Sequence, residues 1–411
     1  MDILIKQPWV VTQDASRRII KKDVFVSGNI INEISDSIAT ARAEYRIDAE
    51  GMILAPGLIN THTHVAMGSM RGVADDVPLS KFLEKTFAID AKRTEQDIYS
   101  SSIMGMREMV RTGTTSFLDL YYSEDVIARA AKKIGIRAFL SWVVLDKDKT
   151  TQKGNPLNNA ENFIRRFGDR KPNMINAGVG LQGIYVCNDD TIGAAADIAE
   201  RHDTIIPMHV SETSMEVDNT RKEHGHGVVE HLDKLNVLNK RFVAVHAVHV
   251  SGKEIKLLAK TAAVSHNPIS NTKLGNGTAP IHEMSRSKVN VTLGTDSVAS
   301  NNNLDMFSTM KFASLLQKNR MGDASELAAQ QILDFATVNA AKALGYGDLL
   351  GSVEEEKLAD LILIDPYPNA LPLSRSNIVS NMVYAVSGLN VDTTIVNGVP
   401  LMLGKEQSAG V

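Results

Sequence analysis

The chain has 411 residues, 43% of them hydrophobic and 22% charged, which is ordinary for a globular protein but too long for one compact core unless the fold is a large barrel. The net charge of −4 and the lack of a long basic run argue against nucleic acid or an anionic membrane as partners. With a single cysteine, Cys187, and no apolar run as long as a secretory signal or membrane span, the sequence predicts a cytoplasmic location.

The two ends of the chain share a pattern that is typical of short β-strands. Residues 1 to about 52 contain short runs of β-branched and aromatic residues separated by polar turns. Similar runs return near residue 350, and we predict strands at 359–365, 382–385 and 394–398. The sequence therefore predicts a small β-sandwich domain built from residues 1–52 plus 350–411, with a catalytic domain over residues 53–349 between them.

The middle of the chain alternates between apolar strands and helical patterns. The spacing of apolar residues predicts helices that include 98–110, 125–134, 191–200 and 306–316. Eight continuously hydrophobic runs predict parallel strands that are covered on both faces. These runs are 53–59, 115–120, 137–145, 175–181, 205–210, 242–248, 262–266 and 289–295. We predict an α/β fold of the (β/α)₈ TIM-barrel type; the alternative, a doubly wound open sheet, lacks a Gly-x-Gly-x-x-Gly turn after the first strand.

Several predicted strands end in side chains that bind divalent metals. The first ends in His62 and His64, and because alternate residues of a strand point to the same side, both imidazoles can reach one point. The fifth ends at His209 and the eighth at Asp296. Since the carboxyl ends of barrel strands meet on one rim, we predict that these four residues bind one divalent metal ion, with zinc expected and Fe²⁺ or Mn²⁺ as alternatives.

Two further residues on this rim are candidates for proton transfer. Glu212 lies three residues after His209, where a carboxylate could take a proton from an activated water and pass it on. His246 ends the sixth strand and could either orient the attacking water or share in proton transfer. The end of the fourth strand, residues 180–185, contains no Lys that could bridge two ions, which favours a single metal.

Several long segments match the signature of a known family. They read APGLINTHTH at 55–64, RGVADD at 71–76, HVSET at 209–213, SHNP at 265–268, SNTKLG at 270–275, LGTD at 293–296 and LADLI at 358–362. On these segments the chain resembles the amidohydrolase superfamily over nearly its whole length. Within it, the chain is most similar to the mononuclear metal deaminases of the 5-methylthioadenosine/S-adenosylhomocysteine deaminase group.

The resemblance implies roles for the candidate residues. The four predicted ligands would hold zinc or a similar ion, and Asp296 would also assist the attacking water. Glu212 would carry a proton to the ring nitrogen of the substrate. His246 matches the histidine that lies near the reacting carbon.

The positions that specify the substrate depart from the family pattern. Asp90 stands where the family has Glu, Trp142 where it has Arg, and Gln182 where it has His, and a second family Arg has no clear counterpart. Asp90 and Gln182 could still form hydrogen bonds with the substrate. Trp142 could stack on a ring or pack against an apolar 5′ group, but it cannot pair with the carboxylate of an amino-acid tail. Together with Glu212 and Asp296, these three residues are the predicted substrate contacts.

These inferences predict an enzyme, a zinc-dependent hydrolytic deaminase of an adenosine-type nucleoside. The substrate would be 5′-methylthioadenosine, with S-adenosylhomocysteine, adenosine and 5′-deoxyadenosine as further options, and the products the inosine analogue and ammonia. The alternatives are deamination of another amino-heterocycle such as a purine base or pterin, hydrolysis of a cyclic amide, and a non-catalytic scaffold. A small nucleoside is thus the expected partner, and a homo-oligomer stays open.

Overall fold

The computed structural model describes residues 1–77, 79–168 and 172–408. The strands are, in chain order, β1 Asp2–Lys6, β2 Trp9–Val11, β3 Ile19–Lys21, β4 Asp23–Ser27, β5 Ile30–Ser35, β6 Tyr45–Asp48, β7 Ile53–Pro56, β8 Leu58–Thr63, β9 Thr114–Tyr121, β10 Arg137–Val144, β11 Ile175–Leu181, β12 Ile206–Val210, β13 Phe242–His246, β14 Ala263–His266, β15 Val291–Leu293, β16 Leu361–Ile364, β17 Val391–Val396, β18 Val399–Leu403 and β19 Glu406–Gln407.

The helices fill the connections between these strands. They are α1 Leu79–Asp90, α2 Glu95–Arg111, α3 Glu124–Ile134, α4 Pro156–Phe167, α5 Asp189–Arg201, α6 Ser214–His224, α7 Val228–Lys234, α8 Gly252–Leu258, α9 Pro268–Lys273, α10 Ile281–Arg286, α11 Val298–Asn301, α12 Met306–Met321, α13 Ala329–Ala336, α14 Val338–Ala343 and α15 Ile378–Tyr384. Among the described residues, no helix is long and apolar enough to cross a membrane.

Strands β8 to β15 form one parallel sheet in which each strand pairs with the next along the chain. Side chains link its first strand to its last: Thr61 Oγ1 lies 2.9 Å from the carbonyl oxygen of Leu293 and 2.8 Å from Thr292 Oγ1. The backbone N–H of Asp296 donates to the carbonyl of His62 at 3.0 Å. The predicted (β/α)₈ barrel is therefore confirmed, and every residue of β9 is buried, as parallel strands covered on both faces should be.

Strands from both ends of the chain build the two other sheets. Their orders are β5-β4-β1-β6 and β19-β18-β17-β16-β7-β2-β3. Apolar side chains of the two sheets, among them Ile3, Val24, Leu54 and Leu361, share one buried cluster. The proposed division into domains at residues 52 and 350 stays a prediction, and its ranges include residues 78, 169–171 and 409–411, which lie outside the described residues.

One predicted strand, 53–59, was wrong in part, and another, 382–385, was wrong. The run 53–59 is divided, because β7 pairs with β16 in a terminal sheet whereas β8 pairs with β9 in the barrel. The chain changes sheets at Gly57, where a Cβ atom would lie 2.1 Å from Thr115 Oγ1, so that only glycine allows this close approach. The run 382–385 belongs to helix α15, whose buried residues Ile378, Met382 and Val383 have helical spacing that a four-residue window does not reveal.

A buried ion pair joins the barrel to the terminal sheet. Arg137, the first residue of β10, donates from Nε and Nη2 to the two carboxylate oxygens of Asp360, each at 2.9 Å. The side chains are 1% and 3% exposed. The backbone N–H of Asn397 also donates to Asp360 Oδ1 at 2.7 Å. Since β8 follows directly on a strand of the terminal sheet, this pair helps to fix the position of the strand that carries His62.

We predict that Arg137→Leu destabilises the protein by about 3 to 5 kcal/mol, because it leaves the Asp360 carboxylate buried without its charged partner. The free energy of unfolding from urea denaturation measures this. Arg129→Leu is the matched control: its partner Glu95 lies 3.3 Å away and both side chains are more than half exposed, so the loss there should stay within about 1 kcal/mol. Equal losses in the two variants would contradict a structural role for the buried pair.

Candidate metal centre and active site

The structure brings together three of the predicted imidazoles on one end of the barrel. His62 and His64 lie at and just after the end of β8, and His209 lies in β12. The ring centroids of His62 lie 4.8 Å from His64 and 5.0 Å from His209, and the His64 and His209 rings are 5.4 Å apart. One ring nitrogen from each lies within 4.8 Å of the others.

Asp296 and His246 face the same point. Asp296 Oδ1 lies 3.6 Å from His62 Nε2 and 3.4 Å from His64 Nε2. His62, His246 and Asp296 form a second group whose ligand atoms lie within 4.8 Å of one another. Asp296 is held in turn by the Ser270 hydroxyl, which donates to Oδ2 at 2.6 Å.

Hydrogen bonds orient two of the imidazoles toward this point. Nδ1 of His64 lies 2.6 Å from the carbonyl oxygen of Leu120, and Nδ1 of His209 lies 2.6 Å from that of Gln182. A carbonyl accepts only, so both Nδ1 atoms carry the proton and both Nε2 atoms have a free lone pair. His62 is fully buried, and neither of its ring nitrogens has a hydrogen-bond partner among the described residues.

Burial keeps two of the imidazoles, those of His62 and His209, neutral, whereas Asp296 stays charged. Burial lowers the pKa of His62 to about 4 and, together with the neighbouring imidazoles, lowers the pKa of His209 well below its usual value. Burial alone would raise the pKa of Asp296, but the imidazoles of His62 and His64 outweigh it and hold that pKa well below its usual range. Three histidines and an ionised aspartate form a donor set that fits one divalent ion, and the buried His62, whose ring nitrogens have no hydrogen-bond partner among the described residues, calls for such a ligand.

Glu212 lies beside this centre. Its Oε1 accepts a hydrogen bond from Asn276 Nδ2 at 2.8 Å, and its Oε2 lies 3.8 Å from His246 Nε2. Burial and the charge of Asp296 raise its pKa, although His246 opposes the shift. A carboxylate with a raised pKa accepts a proton and releases it again more readily than an ordinary one near neutral pH.

His246 is held by two amides. Its Nδ1 lies 2.7 Å from Asn271 Oδ1 and 3.3 Å from Asn267 Nδ2. These two amides fix the plane of the ring, and its Nε2 lies 3.8 Å from Glu212 Oε2. Both roles that the sequence left open, orienting a water molecule and sharing in proton transfer, fit this position.

Comparison with known proteins agrees with this geometry. The model of the amidohydrolase family matches residues 53–401. This chain belongs to the amidohydrolase family. It is 38% identical over 399 residues to the 5′-deoxyadenosine deaminase of Methanothermobacter thermautotrophicus, covering 96% of this chain and 92% of that protein. It is 36% identical to the 5-methylthioadenosine/S-adenosylhomocysteine deaminase of Thermococcus sibiricus, covering 98% and 94%.

A solved structure is also similar to this amidohydrolase over nearly its full length. The crystal structure of an adenosine deaminase from Xanthomonas campestris with bound zinc matches with a TM-score of 0.93 and 31% sequence identity, covering 99% of this chain and 94% of that one. The predicted family is thus confirmed.

The predicted substrate residues of this amidohydrolase lie around the same rim. Asp90 ends α1, and its Oδ1 accepts hydrogen bonds from the Tyr121 hydroxyl and, at 3.3 Å, from Arg93 Nη1. The Tyr121 ring lies 6.2 Å from the His64 ring, which connects Asp90 to the metal centre. Arg93 was not anticipated from the sequence.

Trp142 lies two residues before the end of β10, and Gln182 directly follows the end of the neighbouring strand β11. Trp142 lies opposite Tyr121 in the pairing of β10 with β9, and its Nε1 donates to Gln152 Oε1 at 2.9 Å. Gln182 receives the His209 hydrogen bond on its backbone carbonyl, while its side chain donates to the Tyr185 hydroxyl at 3.1 Å. Contact of these residues and Asp90 with substrate stays a prediction.

Sequence reasoning missed Glu216, which holds the Glu212 segment in place. The backbone N–H groups of Ser211 and Glu212 donate to its carboxylate at 3.2 and 2.8 Å. Burial raises the pKa of Glu216 to about 7. A signal was present, because Thr213 with Glu216 three residues later is the pattern of a helix N-terminus, and Thr213 is the N-cap of α6.

Several of these residues also share an unusual backbone conformation. Ser211, His246, Ala247 and Asp296 have φ angles of +50°, +73°, +47° and +61°. Non-glycine residues adopt positive φ at a cost of about 1 to 3 kcal/mol, and such residues concentrate at functional sites. The strand ends therefore carry backbone strain where the side chains converge.

We predict that His62→Ala lowers the tightly bound metal from about one ion per chain to a small fraction, because it removes the ligand at the centre of the cluster. Protein dialysed against metal-free buffer and analysed by elemental mass spectrometry measures this. His282→Ala, which loses only an ion pair with Glu326 at 3.0 Å, should keep the ion. Retention of a full equivalent by the His62 variant would remove this residue from the ligand set.

Proposed function

We propose that this amidohydrolase is a metal-dependent hydrolytic deaminase of an adenosine-type nucleoside. The observation that carries the proposal is the position of Glu212 and His246 against a buried His₃Asp centre on the barrel rim. The names of the full-length relatives support the nucleoside class, since they act on 5′-deoxyadenosine, 5-methylthioadenosine or S-adenosylhomocysteine.

The ligand set proposed is His62, His64, His209 and Asp296, with zinc as the expected ion. A divalent ion held there would lower the pKa of a bound water molecule to about 7. The bound zinc in the similar adenosine deaminase structure supports this assignment. The sequence and the donor set favour one ion per site.

The chain's own residues would carry the protons. Glu212 accepts a proton from the attacking water and delivers it to the ring nitrogen next to the carbon that bears the amino group. His246 Nε2 and Asp296 orient the water toward that carbon. The water oxygen adds to the carbon, and the second water proton passes to the amino group. Ammonia then leaves, and the carbon keeps the oxygen as a keto group, giving the inosine analogue.

We further propose that the 5′ group of the preferred substrate is uncharged. Trp142 packs near Phe163, with ring centroids 5.9 Å apart, and its only polar atom is engaged by Gln152. Two residues before the end of the third barrel strand, its ring offers an apolar surface that we propose lines the substrate pocket. Such a surface suits the methylthio group of 5′-methylthioadenosine or the methyl group of 5′-deoxyadenosine, but not a charged amino-acid tail.

Ammonia release from a panel of nucleosides tests this proposal. Metal-replete protein should release ammonia from 5′-methylthioadenosine and 5′-deoxyadenosine with a higher kcat/KM than from S-adenosylhomocysteine, with adenosine, guanine and a pterin as comparisons. Trp142→Arg should raise the ratio of kcat/KM for S-adenosylhomocysteine over 5′-methylthioadenosine by about tenfold, since one charge-assisted contact contributes roughly 1.4 kcal/mol or more. A preference of the wild type for S-adenosylhomocysteine would contradict the assignment of Trp142; release only from free bases would contradict the nucleoside class.

Glu212→Gln should keep the bound metal yet lose about 10²- to 10⁴-fold in kcat, because an amide cannot take the proton from water. The matched control is Glu230→Gln, since Glu230 pairs with Lys253 on the neighbouring helix at 3.1 Å, away from the centre. Steady-state ammonia release together with metal analysis separates the two effects. Near-normal turnover in the Glu212 variant would remove this residue from proton transfer.

A further inference from the structure

Three histidines outside the barrel rim lie against one another where α6 meets α7. His224 is the last residue of α6, His226 lies in the turn, and His231 lies in α7. Their ring centroids are 3.9 Å apart for His224 and His231, 5.3 Å for His226 and His231, and 6.2 Å for His224 and His226. The three imidazoles of the barrel rim are separated by 4.8 to 5.4 Å, so the two trios have similar spacing.

The partner of His231 is the second observation. His231 Nε2 lies 2.7 Å from Asp189 Oδ1, at the first residue of α5, and the His231 side chain is 7% exposed. Histidines that bind metals commonly donate one ring N–H to a carboxylate in this way, which leaves the other nitrogen free as the ligand. Nδ1 of His231 is buried without a hydrogen-bond partner among the described residues, and so is Nδ1 of His226.

We propose that His224, His226 and His231 form a second binding site for a divalent first-row metal ion such as Zn²⁺ or Ni²⁺. Imidazole nitrogen suits these ions. Asp189 orients His231 from outside the ligand set. The bound ion links the α6–α7 turn to the start of α5, which follows the fourth barrel strand.

Binding requires two of the rings to turn. The rings of the helix trio lie 13° to 39° from parallel, whereas those of the rim trio differ by 36° to 88°. Among the described residues, only the rim groups bring three ligand atoms within 4.8 Å of one another. The His224 side chain is 27% exposed and lies against the buried His231, and its Nε2 is 3.8 Å from Glu223 Oε2. This reorganisation makes the second site weaker than the one on the rim.

Zinc stoichiometry at saturation tests the proposal. Metal-depleted full-length protein in equilibrium dialysis against Zn²⁺ should bind two ions per chain, and His226→Ala should bind one. The control His202→Ala, which loses a surface contact with Glu161 at 3.4 Å, should still bind two. A wild type that saturates at one ion, or a His226 variant that keeps the second ion with unchanged affinity, would overturn the proposal.

The variant Asp189→Asn distinguishes a specific metal site, in which Asp189 orients His231, from non-specific chelation by surface histidines. Loss of an orienting carboxylate typically lowers metal affinity by about 10- to 100-fold, so the second dissociation constant should rise by that factor while the first is unchanged. An unchanged second constant would mean an adventitious ion only. Ammonia release by the His226 and Asp189 variants should match the wild type, so that these results stand apart from any failure of the proposed deaminase activity.

Discussion

The buried imidazole of His62 is the constraint on which the rest of the site depends. It lies at the centre of the barrel rim, fully buried, with neither ring nitrogen bonded to another described group. Its pKa of about 4 keeps it neutral, because burial disfavours the imidazolium. A buried polar ring without partners is costly, and an ion held between it, two further imidazoles and an ionised carboxylate satisfies it.

Contacts throughout the barrel hold the surrounding strands and side chains in place around His62. Contacts between Thr61 and the last barrel strand, and between the Asp296 N–H and the His62 carbonyl, join the first strand to the eighth. The barrel therefore closes at the place where His62 and His64, at the end of its first strand, meet Asp296, which follows its last strand. Next to Glu212, Glu216 binds two backbone N–H groups, and Asn271 contacts Nδ1 of the His246 ring. Backbone positions with positive φ at the strand ends are held in place by these contacts.

Much of this could be predicted because barrel strands are buried on both faces. Their runs of apolar residues are continuous, so 175–181 and 137–145 were identified almost to the residue. The four candidate ligands, which the structure brings together, could be picked out because each follows such a run. The change of sheets at Gly57 was not predicted, since it depends on how closely Thr115 approaches, and that is a tertiary contact. The helix at Ile378–Tyr384 was missed because a short apolar run is compatible with the spacing of a helix as well as with that of a strand.

The supporting residues were harder to find for a related reason. Glu216 and Asn271 act through backbone groups and another side chain rather than on substrate. The pattern of Thr213 and Glu216 marks only the start of a helix, and nothing in a single sequence distinguishes Asn271 from an ordinary polar residue. The contacts of Arg93 with Asp90 and Tyr121 could not be predicted either, because only the fold brings these residues together.

The most direct test of the account is a crystal structure of zinc-loaded Glu212→Gln protein with 5′-methylthioadenosine, with anomalous scattering measured at the zinc edge. The account predicts an ion bound by His62, His64, His209 and Asp296, and the amino-bearing carbon of the adenine ring between that ion and residue 212. A rim without zinc, or a nucleoside bound with its base directed away from residue 212, would contradict it.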